Sequence, residues 1–139
     1  SRIAYFHEQH AAIVEVAPHV DLQEPKIRLL QRRIDRSRRA NNPDNYNPDG
    51  TVKKGSLTWN TSNRGRRTAA KLAEHHRRLA ATRKRDHGEL VNDLLQIGGT
   101  IKIEKNNYRS FQRCFGRSTK RRGMGEFVEH LKRKAESCS

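Results

Sequence analysis

Acidic residues, cysteines and long apolar runs are all scarce in this sequence, and each scarcity removes a class of protein. Fifteen Asp and Glu face thirty Lys and Arg over 139 residues, for a formal charge of +15 and a pI near 10.7. Charge so one-sided repels itself unless a polyanion neutralises it, and DNA or RNA is the polyanion that fits. Cys114 and Cys138 are too few and too widely spaced for a zinc ribbon or a disulfide framework, so reduced thiols in a cytoplasm are expected. No run approaches the roughly 20 apolar residues that span a bilayer, and no charged-then-apolar signal segment opens the sequence as given, so no membrane partner is expected. Glycine-rich phosphate loops and nucleophilic serine motifs are also missing, which argues against nucleotide hydrolysis, acyl transfer and a small-molecule substrate. His75 and His76 are neighbours, but successive helical residues point about 100° apart and do not converge on one ion.

What is present reads as one domain of alternating helical and extended character. Ile3 to Phe6 and Ala11 to Val16 are short apolar runs flanking His-Glu-Gln-His, a hairpin pattern. Pro18 and Pro25 bracket a connector, and from Lys26 the spacing of Ile27, Leu30 and Ile34 predicts a helix whose remaining faces are arginine. Asn41 to Gly55 carries nearly every turn-forming residue type, with Asp49-Gly50 suited to a tight turn. Ser62 is positioned to cap a helix running to about Ile97, its apolar stripe interrupted from Arg83 to Gly88. Gly98-Gly99 is expected to end that helix. Thr100 to Glu104 alternates polar and apolar as a strand does, Tyr108, Phe111 and Phe115 suggest a short docking helix, and Gly116 to Gly125 reads as a basic loop before a last helix over about 126–136.

Basic residues cluster at Lys26 to Arg39, Arg64 to Arg85 and Arg109 to Arg122. Arginine presents a planar fork of donors that grips phosphate through two bonds, where lysine offers a point charge. The candidates for phosphate contact are Arg28, Arg32, Arg33, Arg36, Arg39, Arg83, Arg113, Arg117, Arg121 and Arg122. Zinc-finger spacing, a zipper below a basic region and an aromatic RNA-binding signature are not evident, which leaves backbone and shape contacts. Tyr46 and Trp59 are candidates to stack on unpaired bases, against the more ordinary role of Trp59 as a core anchor. Glu104 is the one carboxylate in a suggestive place. Spacing alone favours a salt-bridged strand residue, because two-metal phosphodiester cleavage needs several clustered acids.

The order of these pieces resembles a known family. Pro25-Lys26-Ile27-Arg28-Leu29-Leu30-Gln31-Arg32-Arg33-Ile34-Asp35-Arg36-Ser37-Arg38-Arg39, Ala40 to Pro43, Asn45-Tyr46-Asn47 and Asp49-Gly50 are similar to the OrfB (TnpB) transposase-associated proteins of bacterial insertion sequences. So are Ala81-Thr82-Arg83-Lys84-Arg85-Asp86-His87-Gly88 and Ile103-Glu104-Lys105 with Tyr108 to Ser118. The resemblance implies an α+β, partial RuvC-like (RNase H-type) fold: a β-hairpin over 1–17, a basic helical insertion over 26–98, then a central strand, basic loop and helix over 99–139. It implies an RNA-guided, metal-dependent DNA endonuclease of transposon origin, with DNA and guide RNA as partners and Glu104 as a catalytic, Mg2+-binding carboxylate. By the same resemblance another catalytic aspartate precedes Ser1, and a zinc ribbon and the last aspartate follow Ser139. An internal fragment, inactive alone, is therefore expected. The alternative is a non-catalytic basic nucleic-acid binder, a decayed or domesticated copy.

Overall fold

The computed structural model describes residues 2–8, 10–97, 100–104 and 106–137; within the third helix the side chains at 109, 111, 112, 115 and 117 lie outside that description. Among the described residues the chain is α+β, one antiparallel hairpin and four α-helices. It divides into two units. The first comprises Ser1–Asp21 and Leu79–Ser139, the second Leu22–Arg78.

In the first unit, β1 (Arg2–His7) pairs antiparallel with β2 (His10–Glu15), with Ile3 opposite Val14 and Tyr5 opposite Ala12. Side chains alternate across a strand, so Ile3, Tyr5, Ala12 and Val14 share the half-buried face, while Phe6 and Ile13 stand exposed on the other. The chain then turns inward through Val16, Ala17 and Val20, which form the core with Val91 of α2 (Asn63–Ile97) and Phe127, Val128 and Leu131 of α4 (Met124–Ser137). Phe127, Val16, Val20 and Val91 are fully enclosed. No helix among the described residues is long and apolar enough to cross a membrane.

The second unit holds α1 (Glu24–Asn41) and the start of α2. Pro25 sits in the first turn of α1, where its missing N–H costs nothing, and Ile27 and Leu30 supply the buried stripe. Ser62 caps α2 as its sequence position predicts, its Oγ accepting the Gly65 N–H at 3.0 Å. The two helices run antiparallel: His75 Nδ1 of α2 donates to Gln23 at the head of α1 (3.1 Å), and Ser37 near the tail of α1 lies 3.4 Å from Ser62.

Two expectations are corrected. Residues 100–104 form no strand: none of their backbone groups pairs with a described residue, and an alternating sequence becomes a strand only when a neighbouring edge takes its hydrogen bonds. The basic stretch after Gly116 is helical rather than a loop, since α3 spans Tyr108–Arg122 with a kink at Gly116 (φ 46°). That positive φ suits glycine, and the residues that follow are ordinary helix formers. The break falls instead at Gly123 (φ 63°), whose N–H bonds the Thr119 carbonyl and whose own carbonyl takes the Phe127 N–H. Arg83 packs within 3.0 Å of where a Cβ on Gly123 would be. The helix end assigned to Gly98-Gly99, the side chains of Phe111 and Phe115, and Cys138 lie outside the described residues.

Candidate nucleic-acid interface

Charge is divided unevenly between the units. Residues 22–78 hold 15 Lys and Arg against 5 Asp and Glu, whereas the rest of the chain holds 15 against 10. On α1, Arg32, Arg33 and Arg36 are exposed and meet no carboxylate among the described residues, and the same holds for Arg64, Arg66 and Arg67 in the opening turns of α2. Helical geometry sets Arg32 and Arg36 one turn apart with Arg33 beside them, a row of forks on the side not used by Ile27 and Leu30. Acids of the same unit hold other arginines. Arg28 pairs with Glu24 (2.5 Å) and Arg39 with Asp35 (2.9 Å), while Arg77 and Arg78 both bind Glu74, at 2.7 and 2.8 Å. Those two hydrogen-bonded guanidiniums hold the Glu74 carboxyl down to about 2.

The loop between the helices is built, not slack. Asn42 is buried: its Nδ2 donates to the carbonyls of Arg38 (2.8 Å) and Asn60 (2.9 Å), and its Oδ1 accepts the Asn60 N–H at 2.6 Å. Asn45 Nδ2 donates to Thr58 O at 2.7 Å, and a bridge joins Tyr46 to Val52 around the turn at Asn47–Thr51. Hydrogen bonds from the Thr51 hydroxyl and N–H pull the Asp49 carboxyl below its usual range. Upon this frame the Arg38 guanidinium lies 3.7 Å from the Trp59 ring centroid and that of Arg39 4.8 Å from Tyr46, while the two rings meet edge to face at 5.9 Å. Arg39 also donates to Gly50 O at 3.0 Å, so its donors brace the loop.

Arginines of the first unit are used differently. Arg122 is 5 % exposed and donates to Val16 O (2.9 Å), Glu15 (2.8 Å) and Asp21 (2.5 Å). It is a strut inside the fold, and its fork is closed to phosphate. Arg121 pairs with Asp21 at 3.2 Å, and Arg83 pairs with Glu126 at 3.1 Å and reaches the Arg121 carbonyl. Arg113 is exposed; the side chain of Arg117 lies outside the described residues. The interruption in the apolar stripe of α2 is filled by buried polar side chains. Asp86 takes the His19 N–H at 3.1 Å with the His19 ring 3.2 Å away, and His87 Nε2 donates to the Arg122 carbonyl at 2.7 Å with its ring against Phe127. Burial, ahead of the charges around it, pushes the His87 pKa below its ordinary value.

Glu104 is exposed at the rim of a cleft of about 680 Å³ lined by Ile3, Tyr5, Leu94, Ile101, Tyr108 and Phe127. Asn106 donates to it at 3.5 Å, and no cation among the described residues pairs with it. Burial, and then the charges of Glu104 and Glu129, raise the Tyr108 phenol above its usual range. The described residues do not by themselves make a divalent-cation site: no group of three or more His, Cys, Asp or Glu converges, and a single carboxylate falls short of the several oxygens Mg2+ takes.

Sequence reasoning located the arginine clusters but not which arginines are engaged internally. The partners of Arg122, Glu15, Val16 and Asp21, lie about a hundred residues away, so no local signal marks it as internal. Comparison with family models, curated proteins and solved structures returned no match to this chain.

Proposed function

We propose that the chain binds nucleic acid through the second unit, as the guide-RNA and DNA grip of a transposon-type, RNA-guided, metal-dependent DNA endonuclease. The observation that carries the binding is the row of exposed, carboxylate-free arginines on α1 and at the head of α2, in a unit with 15 basic against 5 acidic residues. Such a surface follows phosphates by charge and by the shape of an A-form duplex, without reading bases in a groove too narrow to enter. The endonuclease setting rests on the sequence resemblance and on Glu104, whose metal chemistry would need acidic groups that the described residues do not bring beside it.

Two measurements test the reading. Replacing Arg32, Arg33 and Arg36 with Ala should weaken RNA binding and flatten its dependence on salt, by roughly 0.9 in log–log slope for each duplex phosphate no longer neutralised. An unaltered slope moves the grip elsewhere. In the longer protein that the resemblance implies, Glu104→Gln should abolish magnesium-dependent cleavage and leave RNA binding intact; undiminished cleavage refutes the role given to Glu104.

A further inference from the structure

The loop between α1 and α2 raises its own question. Trp59 is the sole tryptophan of the chain, and it is half-buried and is not among the residues of the first unit's core. A large ring in that position usually anchors a core. Here it is held on a frame of amide hydrogen bonds: its two chain neighbours are fastened, Thr58 by Asn45 and Asn60 by the buried Asn42. The ring is thereby fixed in place while part of it stays open to solvent. Beside it stands Tyr46, also half-buried, at 5.9 Å.

The two arginines over these rings differ. Arg39 is committed to Asp35 and the Gly50 carbonyl, so its contact with Tyr46 completes a brace. Arg38 is exposed, and beyond the indole its guanidinium meets no carboxylate and no hydrogen-bond acceptor among the described residues. A guanidinium held against an indole keeps its in-plane N–H groups for an anion and presents a flat cationic plate on which a further π-system can stack. Lys53 and Lys54 of the same loop are exposed and likewise without a carboxylate partner among the described residues.

We propose that the Arg38–Trp59 pair, with Tyr46 beside it, is a docking site for one unpaired nucleobase and its phosphate. The base stacks on the cation–π pair and the phosphate takes the in-plane donors of Arg38. This deepens the nucleic-acid reading and rests on it. It adds a site for single-stranded nucleotides to a surface that otherwise follows duplex phosphates, since a stacked base within a helix has no face to offer. Sequence selectivity is not required, because every base has such a face.

The sole tryptophan makes the test direct. The whole chain is titrated at fixed salt with an oligouridylate of about 12 nucleotides, within the range one single-strand site covers. Parallel titrations use an abasic strand of the same length and an RNA duplex, with binding followed by filter retention and Trp59 emission read in each. The expected result is quenching by oligouridylate that exceeds quenching by the abasic strand and the duplex at equal occupancy. Equal emission changes with all three, or retention with no change in emission, overturns the base-docking site and leaves charge-driven binding standing. No retention of any of them overturns both readings. Trp59→Leu keeps apolar bulk without a stacking face, and Arg38→Lys keeps charge without the plate. Each should lower oligouridylate affinity by about 5- to 150-fold, the span of roughly 1–3 kcal/mol per stacked base, and change abasic-strand affinity far less. Equal losses on both strands, with helix content unchanged by circular dichroism, overturn the proposal.

Discussion

Two groups of arginines, one in each unit, are used in opposite ways. In the first, Arg122, Arg121 and Arg83 turn inward to Glu15, Asp21 and Glu126, so that arginine links the segment after the hairpin to α2, α3 and α4. In the second, Arg32, Arg33, Arg36 and Arg38 are left outside with no acid among the described residues to hold them. The basic total is equal in both, 15 Lys and Arg in each; the acids make the difference, 10 against 5. A cluster of arginines in a sequence therefore says little about binding until its acids are counted in space.

The largest effect that sharpens this contrast is expected from Arg122→Ala. It strips hydrogen bonds from two carboxylates and a buried carbonyl, and should cost about 3 kcal/mol in urea denaturation, the low end for breaking a buried pair because Glu15 and Asp21 keep some contact with water. Arg122→Lys should recover little, since one ammonium cannot span the same acceptors. A loss below about 0.5 kcal/mol, the size of an ordinary surface change, would break the comparison. Next comes Asn42→Ala in the second unit, which leaves the Asn60 amide without its partner and should cost about 1–3 kcal/mol, read as a red shift of Trp59 emission and faster proteolysis within 43–60. Ser62→Ala removes the cap of α2 and should cost about 1 kcal/mol.

A pH titration probes the first unit through His87. His87 binds its proton less readily folded than unfolded, so its contribution is complete above the unfolded pKa of about 6.5 and is lost as pH falls through the lower folded value. First-unit stability should decline with acidification in that window and His87→Gln should blunt the decline; a decline of the same size in the variant assigns it to other groups. Smallest in stability, and largest in binding, is the Arg32, Arg33, Arg36 triple alanine: each exposed site should contribute no more than about 0.5 kcal/mol to unfolding.

Much of the second unit was legible in the sequence. The Ile27, Leu30, Ile34 spacing, the Ser62 cap and the Asp49-Gly50 turn are local signals, each settled by residues within a few positions, and the hairpin is of the same kind. The failures share a cause. Whether Thr100 to Glu104 becomes a strand depends on an edge supplied from elsewhere, and whether Arg122 faces solvent depends on Glu15 and Asp21. For Trp59 the local composition was informative, but its placement against Arg38 depends on an asparagine buried 17 positions earlier, at Asn42. The polar break in the α2 stripe carried a usable hint, since Asp86 and His87 interrupt an apolar face where buried partners await them.

Those adjacent residues also fix an order of events during synthesis. Asp86 reaches back 67 residues to His19, and Arg122 reaches back 106 to the Val16 carbonyl, so the first unit cannot close until the chain through Arg122 has left the ribosome. The second unit is contiguous from Leu22 to Arg78, and its bonds span at most 52 residues, Gln23 to His75. It can form while the hairpin ahead of it still waits for α3 and α4, so the unit with the exposed row of arginines can be assembled before the unit that Arg122 ties together.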